Sequence, residues 1–475
     1  MIFEERQIEK NNFSVRATIL FGLIILGLIA VLLRVFSLQI SGYTDYQLAA
    51  LNNKNYPVPV QSLRGEIFDR NGKALIKNEP TYDLITRPNL IDDINSFLEK
   101  IQPVIFLSEN EISNYKKLQK EKAFDNKELV LKKDLSAEEI ARFNVRSFNF
   151  QHAFIAQRYR RISDYPEIFS HVLGYTSRIE NDIKSMPEIP QSHWKDTELV
   201  YAHGLIQGKT GLEQIYDNYL SGQHGQRVYE MNAKGQFVQS LSFTQPAKGS
   251  DLYTSLDIDA QKSAAKFLGN RKGAVVAIDL ESGGINVLYS SPTYSINQLS
   301  NGMSESNFQT LLNDADKPFF NRALQGRYPP ASTIKPAIGM YGLSNNIVNW
   351  DFEIKDPGFF TLPETGRVFR GWRKGGHGKV NMHKAFLVSS NTYFFSLAYQ
   401  ADIGELSNHL SSLGFGQKVC LDCFEEDPAF VPTPEWKYSI MNAGWVKGDT
   451  VNLGVGQGYL VATPMQLANY AALLA

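Results

Sequence analysis

The sequence predicts a multi-domain α+β protein carried on one N-terminal transmembrane helix. Three observations predict it. An uncharged apolar run, Ala17 to Leu33, stands close to the N-terminus. Beyond a shift in composition at Pro246-Ala247-Lys248-Gly249, strand-like segments precede helical ones, the order of an α+β domain. The length, 475 residues, suggests two to three domains. A net charge of −1, from 48 basic and 49 acidic residues, gives no electrostatic case for nucleic acid. Two cysteines exclude a disulfide-rich scaffold.

The apolar run spans about 25 Å at ~1.5 Å per residue, the short end of a bilayer core. Val35, Phe36, Leu38 and Ile40 extend it if Arg34 reaches the interface along its aliphatic stem. Arg6, Lys10 and Arg16 precede the run; apart from Arg34, the next basic residue is Lys54. That asymmetry puts residues 1–16 in the cytoplasm, a single-pass anchor at 17–40, and the body outside. No Ala-x-Ala-like site follows the run, which argues against a cleaved signal peptide.

From 41 to 248 the chain alternates strands and helices. Asn71-Gly72 predicts a hairpin turn between short strands within Arg64 to Gly72. Ile91 to Lys100 reads as a helix. Ser108-x-x-Glu111 and Ser136-x-x-Glu139 read as capping boxes opening two more, so 90–150 is an α-rich insertion. Arg158 to Arg161 reads as a solvated basic patch. Gly208 to Glu213 resembles the end of a P-loop, but His203 stands where the first glycine belongs, so the phosphate cradle is missing. A helix over 212–220 follows, then strands within 226–243.

The second part, 249–475, opens with a strand at 252–256 and a helix at 260–268. A hairpin, 273–278 and 285–289, turns at Gly283-Gly284. Residues 351–377 read as loop or short strands. Helices over 382–388 and 392–399 meet at Ser389-Ser390-Asn391, and a last helix starts at Pro464.

The chemistry concentrates at Tyr328 to Met340. Ser-x-x-Lys occurs four times: Ser113/Lys116, Ser192/Lys195, Ser263/Lys266 and Ser332/Lys335. Only Lys335 lies among small and apolar residues on both sides. Residues three apart share one helix face, so the Ser332 hydroxyl and the Lys335 amine can meet. Burial lowers a lysine pKa toward the range of a general base. Pro336 fits the first turn of a helix, where N–H groups lack internal partners. No His-Glu-x-x-His and no Gly-x-Ser-x-Gly occur. Cys420 and Cys423 have redox or metal spacing without a second pair; a local disulfide outside the cytoplasm is equally open.

Ser332-x-x-Lys335 followed by Ser389-x-Asn391 resembles the penicillin-binding transpeptidases. Arg64 to Gly72, Gly208 to Glu213 and Gly454-Val455-Gly456-Gln457-Gly458 are similar to class B, monofunctional members, most of all the penicillin-binding protein 2 branch. The resemblance implies an elongated non-catalytic pedestal over 41–248. It also implies a β-lactamase-like transpeptidase domain, an antiparallel sheet flanked by helices, over 249–475. It implies a peptidoglycan D,D-transpeptidase of cell elongation, in the inner membrane with its body in the periplasm. Ser332 would attack the D-Ala-D-Ala bond of a stem peptide and Lys335 would take its proton. Ser389 would relay a proton to the leaving amine. Asn391, with Ser332, would hold the substrate. β-Lactams would acylate Ser332, and a D-Ala-D-Ala carboxypeptidase side activity is implied. Implied partners are a RodA-type glycan polymerase and a MreC-type organiser. No cofactor is implied.

The chain departs from the pattern twice. The family's Lys-Thr/Ser-Gly motif does not follow Asn391, and Lys209-Thr210-Gly211 lies upstream in the pedestal. The expectation is a transpeptidase domain lacking its C-terminal strands, and a 475-residue chain that acylates slowly or not at all. Some members carry metal ligands near this site; here Asp356 and His377 fit, but Gly371 and Ser390 occupy the other two places, so no metal is expected. A septal transpeptidase and a non-catalytic scaffold for a glycan polymerase are the competing readings. A β-lactamase would need neither anchor nor pedestal. A receptor would need more than the 16 residues before the run.

Overall fold

A computed structural model describes residues 2–41, 55–121, 129–178, 206–231 and 237–475. Helix α1, Ile2–Phe36, runs into a π-helical turn at Ser37–Ser41. Its stretch Leu20–Ile40 has a mean hydropathy of 2.6, and no part of it is buried against protein. Among the described residues it is the one helix long and apolar enough to cross a membrane.

The N-terminal module follows. Strand β1, Asn55–Val60, pairs with β8, Gly225–Met231, which pairs with β9, Phe237–Thr244. A second sheet runs β10-β2-β3-β4, with β5 also on β3. Here β2 is Ile67–Phe68, β3 Ala74–Thr86, β4 Leu129–Lys132, β5 Ala153–Ile162 and β10 Leu252–Tyr253. The β2–β3 turn is tight because Asp69 Oδ1 accepts from the backbone N–H of Asn71 and Lys73, at 2.9 and 2.8 Å. Helices α2 (Ile94–Ile101), α3 (Glu109–Glu121) and α4 (Ala137–Arg146) cover one end of β3. Both capping boxes are present: Ser108 N–H donates to Glu111 at 2.8 Å, and Ser136 with Glu139 reciprocally caps α4. Leu84, Leu98, Ile101, Leu129 and Phe143 fill the core between sheet and helices.

Three expectations need correction. Arg158 to Arg161 lies on β5, and Arg161 is buried rather than solvated. Its Nε donates to Glu213 Oε1 at 2.7 Å, while Arg64 Nε donates to Glu213 Oε2 at 2.6 Å. A buried carboxylate thus bridges two buried guanidiniums, the pairing that burial of any of the three demands. The helix over 212–220 is broken at Tyr216 into Gly211–Ile215 and Asp217–Ser221. The Asp217 carboxylate is drawn to Arg64 and to the Gly208 N–H, at 2.7 and 2.8 Å. The strand over 252–256 is only two residues long, paired parallel to β2 through Leu252↔Ile67. It stops because Asp257 caps α5, Ile258–Leu268, by accepting from Asp259 and Ala260 N–H.

In the C-terminal module the antiparallel hairpin β11, Gly273–Ile278, and β12, Ile285–Ser291, holds register from Gly273↔Ser291 to Ile278↔Ile285. Helix α5 packs on it, and Gln261 side-chain bonds to both the N–H and C=O of Leu288 lock the contact. The helix that follows Ser332 is α6 (Lys335–Ser344); with it come α7 (Met382–Leu387), α8 (Asn391–Gln400), α9 (Ile403–Ser412), α10 (Lys447–Leu453) and α11 (Pro464–Leu474). Ile334, Ile338, Tyr341, Phe394, Leu406 and Val451 form their common core. A second core joins the modules, with Ile67, Phe169 and Leu212 against Leu288, Tyr294 and Met465. Each such aliphatic or aromatic side chain contributes about 1.5–3 kcal/mol when fully buried.

Candidate active site

Ser332 lies in a 3-10 turn, Ala331–Ile334, that leads directly into α6. Pro336 occupies the second position of α6, where its missing N–H leaves no intrahelical bond unmade. The next N–H, of Ala337, is taken by the Tyr470 hydroxyl at 2.8 Å. Ser332 is exposed, while Lys335, one turn on, is 2 % exposed.

The Ser389-Ser390-Asn391 turn faces them. Helix α7 ends before Val388, and Ser389 takes a left-handed φ of +52°. A non-glycine residue there costs roughly 1 kcal/mol. In exchange both its carbonyl and its hydroxyl point at the same ammonium. Lys335 Nζ donates to Ser389 O at 2.9 Å, to Ser389 Oγ at 2.9 Å and to Asn391 Oδ1 at 2.7 Å. Ser389 Oγ in turn donates to Ser332 Oγ at 3.1 Å. The four predicted site residues therefore meet. One contact differs from expectation: among the hydrogen bonds of the described residues, none joins Lys335 directly to Ser332. Ser389 stands between them. Burial pulls the Lys335 pKa down from 10.5 to about 8. Phe394 lies beneath the ammonium, 5.4 Å from ring centroid to Nζ.

Ser390 points away from the nucleophile. It caps α8 by accepting from Tyr393 N–H at 3.3 Å and donates to Asp356 Oδ2 at 2.8 Å. His377 Nδ1 lies 3.0 Å from the same oxygen, and Gly358 N–H donates to Oδ1 at 2.7 Å. Burial pushes the Asp356 pKa up, but the bonds from His377 and Gly358 outweigh it and hold the carboxylate low. These residues do not fit a zinc site: Gly371 offers no side chain, and Ser390 uses its hydroxyl as a donor. His377 Nε2 is buried without a hydrogen-bond partner. Trp372, 66 % exposed, lies tilted against His377 and donates to Val388 O at 3.2 Å, bracing the turn from outside.

Cys420 and Cys423 form a disulfide. With Asp422 they are close enough together for a metal, but the bonded sulfurs offer no thiolate. The loop instead ties the modules together, through Tyr216 OH donating to Asp422 at 2.9 Å. Lys209-Thr210-Gly211 lies in the N-terminal module, between β7 (Ile206–Gly208) and the short helix at 211.

Sequence reasoning missed the part played by Gly454 to Gly458, which follows α10 and touches the residue before the nucleophile: Ala331 N–H donates to Gly456 O at 2.9 Å. Its three glycines in five residues were the available signal.

Residues 59–254 match the penicillin-binding protein dimerisation domain, and residues 273–475 match the penicillin-binding protein transpeptidase domain. The chain is 36 % identical to the peptidoglycan D,D-transpeptidase MrdA of Acinetobacter baumannii, over 99 % of this chain and 68 % of that protein. It is 32 % identical to MrdA of Escherichia coli K12, over 99 % of this chain and 74 % of that one. Its fold is similar to that of Helicobacter pylori PBP2 solved in complex with MreC. That match has a TM-score of 0.74 at 30 % identity and covers 89 % of this chain and 76 % of that one. With two family domains in sequence and a serine, lysine, serine and asparagine joined by hydrogen bonds in the second, the chain belongs to the class B penicillin-binding proteins, of the penicillin-binding protein 2 type.

Proposed function

We propose that this protein is a serine-type D,D-transpeptidase that cross-links peptidoglycan stem peptides during cell elongation. One observation carries the reading: an exposed serine hydroxyl linked through Ser389 to a buried, pKa-depressed Lys335. Neutral Lys335 accepts a proton from Ser389 Oγ as Ser389 accepts one from Ser332. The Ser332 oxygen adds to the D-Ala-D-Ala carbonyl. Proton return through Ser389 to the leaving D-Ala amine breaks the C–N bond and leaves an acyl-enzyme. An acceptor amine reverses the sequence and forms the cross-link; water in its place gives the carboxypeptidase side reaction. The Ser332 N–H, at a helix start, stabilises the oxyanion. Asn391 holds the Lys335 ammonium and the substrate amide.

The same proposal covers the organisation. Residues 1–16 are the cytoplasmic tail, 17–40 the anchor, 41–248 the pedestal and 249–475 the transpeptidase domain. The basic residues ahead of the apolar run support this orientation in the inner membrane. The complex of the Helicobacter relative with MreC supports a MreC-type partner; a RodA-type polymerase follows from the family reading.

The test is intact and peptide mass spectrometry of the complete gene product after treatment with a β-lactam. The expected result is one adduct, on Ser332. An adduct elsewhere, or none, overturns the mechanism. Ser332→Ala in cells separates the scaffold reading: if cell-shape rescue survives that change, catalysis is not the function.

A further inference from the structure

We infer that Gly456 is a positioning residue for the nucleophile, setting where the Ser332 hydroxyl stands relative to Ser389 and Lys335. The inference rests on the acylation reading above and adds a residue to it.

Ala331, just before Ser332, has a left-handed φ of +50°. An L-residue with a side chain disfavours that conformation, so something outside the residue must hold it. The holding contacts are backbone to backbone. Ala331 N–H donates to Gly456 O at 2.9 Å. Three residues upstream, Tyr328 and Ala462 exchange both N–H···O bonds at 2.9 Å. The nucleophile segment is thus laid against residues 456–462 along its whole approach.

Gly456 sits at φ +68°, and a Cβ there would fall 2.2 Å from Ala331 O and 2.7 Å from Ala331 N. Neither atom is the free end of a side chain, so any side chain at 456 must push the Ala331 peptide away. The turn is equally fixed on its other side. Gly456 N–H donates to Leu453 O at 2.9 Å, at the end of α10. A Cβ on Gly454 would lie 2.4 Å from Ala398 Cβ and 2.9 Å from Phe394 O, both on α8. Asn391 opens α8. The glycine turn therefore ties the element that carries Ser332 to the element that carries Asn391. The 3.1 Å contact between Ser389 Oγ and Ser332 Oγ depends on that tie.

The experiment compares the complete gene product with its Gly456→Ala, Gly458→Ala and Ala331→Gly variants, measuring acylation by a fluorescent penicillin at varied drug concentration, with melting curves. Gly458 is the control for conformation: its φ is +81°, but a Cβ there meets only Asn452 Cβ, at 3.2 Å. The expected result is a fall of about 100-fold in the limiting acylation rate of Gly456→Ala, with initial binding changed by less than about threefold. Gly458→Ala keeps the limiting rate within about threefold. Ala331→Gly, which keeps the N–H to Gly456 O, also stays within about threefold. A normal limiting rate in Gly456→Ala overturns the inference, as does an equal loss in Gly458→Ala. Should Gly456→Ala not fold, a large loss of rate in folded Ala331→Gly does the same, because the clamp would then not be what sets the serine. Failure of the unaltered protein to label at Ser332 is a separate outcome and removes the acylation reading itself.

Discussion

Asn391→Asp is the sharpest perturbation available to this site. The change is nearly isosteric and puts a carboxylate oxygen where Oδ1 now accepts from Lys335 Nζ at 2.7 Å. Unit charges about 3 Å apart attract by roughly 5 kcal/mol at an effective dielectric of ~20. Desolvating the new carboxylate takes back more than half, leaving about 1.5–2 kcal/mol in favour of the ammonium, or slightly over one pKa unit. With Lys335 near 8 in the parent protein, about 10 % is neutral at pH 7, and acylation should rise roughly tenfold per pH unit to a plateau above about pH 8.5. In Asn391→Asp the limb should move to about 9 or higher, with neutral lysine at pH 7 cut to about 1 %. The assay is the second-order acylation constant for a fluorescent penicillin between pH 5.5 and 10. The position of the limb is the reading, because loss of the amide donor lowers the plateau for a separate reason. A parent profile that is flat from pH 6 to 9, or a limb that stays put or moves to lower pH in the variant, refutes neutral Lys335 as the base.

Lys335→Met should abolish acylation and stabilise the fold. The folded lysine binds its proton less tightly than the unfolded one, so parent stability rises as pH climbs from about 8 to 10.5. The variant, compared by denaturant melts, lacks that rise of roughly 1–3 kcal/mol. Glu213→Gln leaves Arg64 and Arg161 buried without their shared carboxylate and should cost about 3–5 kcal/mol, seen as a lower melting temperature. Burial pushes the Glu213 pKa up, but Arg161 and Arg64 hold it below 4.5. Its contribution is complete above that pH and lost as pH falls through the lowered value, so Glu213→Gln should flatten the acid limb of stability. Ser136→Ala removes the reciprocal cap of α4 and should cost about 1 kcal/mol by chemical denaturation, without changing acylation.

Local rules were legible where one residue type has one use. Asn71-Gly72 gave the turn, Ser136 with Glu139 gave a helix start, and the uncharged run gave the long apolar N-terminal helix. Lys335 stood out because a lysine among apolar residues has to be explained. What stayed hidden was long-range. Arg161 looked like surface charge because its partner, Glu213, is 52 residues away. The 252–256 segment looked like an opening strand because the strand it joins, β2, lies far back in the chain. Ser332 and Lys335 looked like direct partners because they lie three residues apart; the left-handed backbone of Ser389, which inserts it between them, has no signature in a serine. The glycine turn could be seen as a motif, but its purpose required knowing that Ala331 lies against it.

The Arg64, Arg161 and Glu213 cluster also sets a timetable. A growing chain acquires Arg64 a full 149 residues before the carboxylate that neutralises it inside. Strand β2 waits longer still, for Leu252 to arrive alongside Ile67. The base of the body therefore cannot set in instalments. It closes late, when nearly the whole chain of the N-terminal module is available to fold.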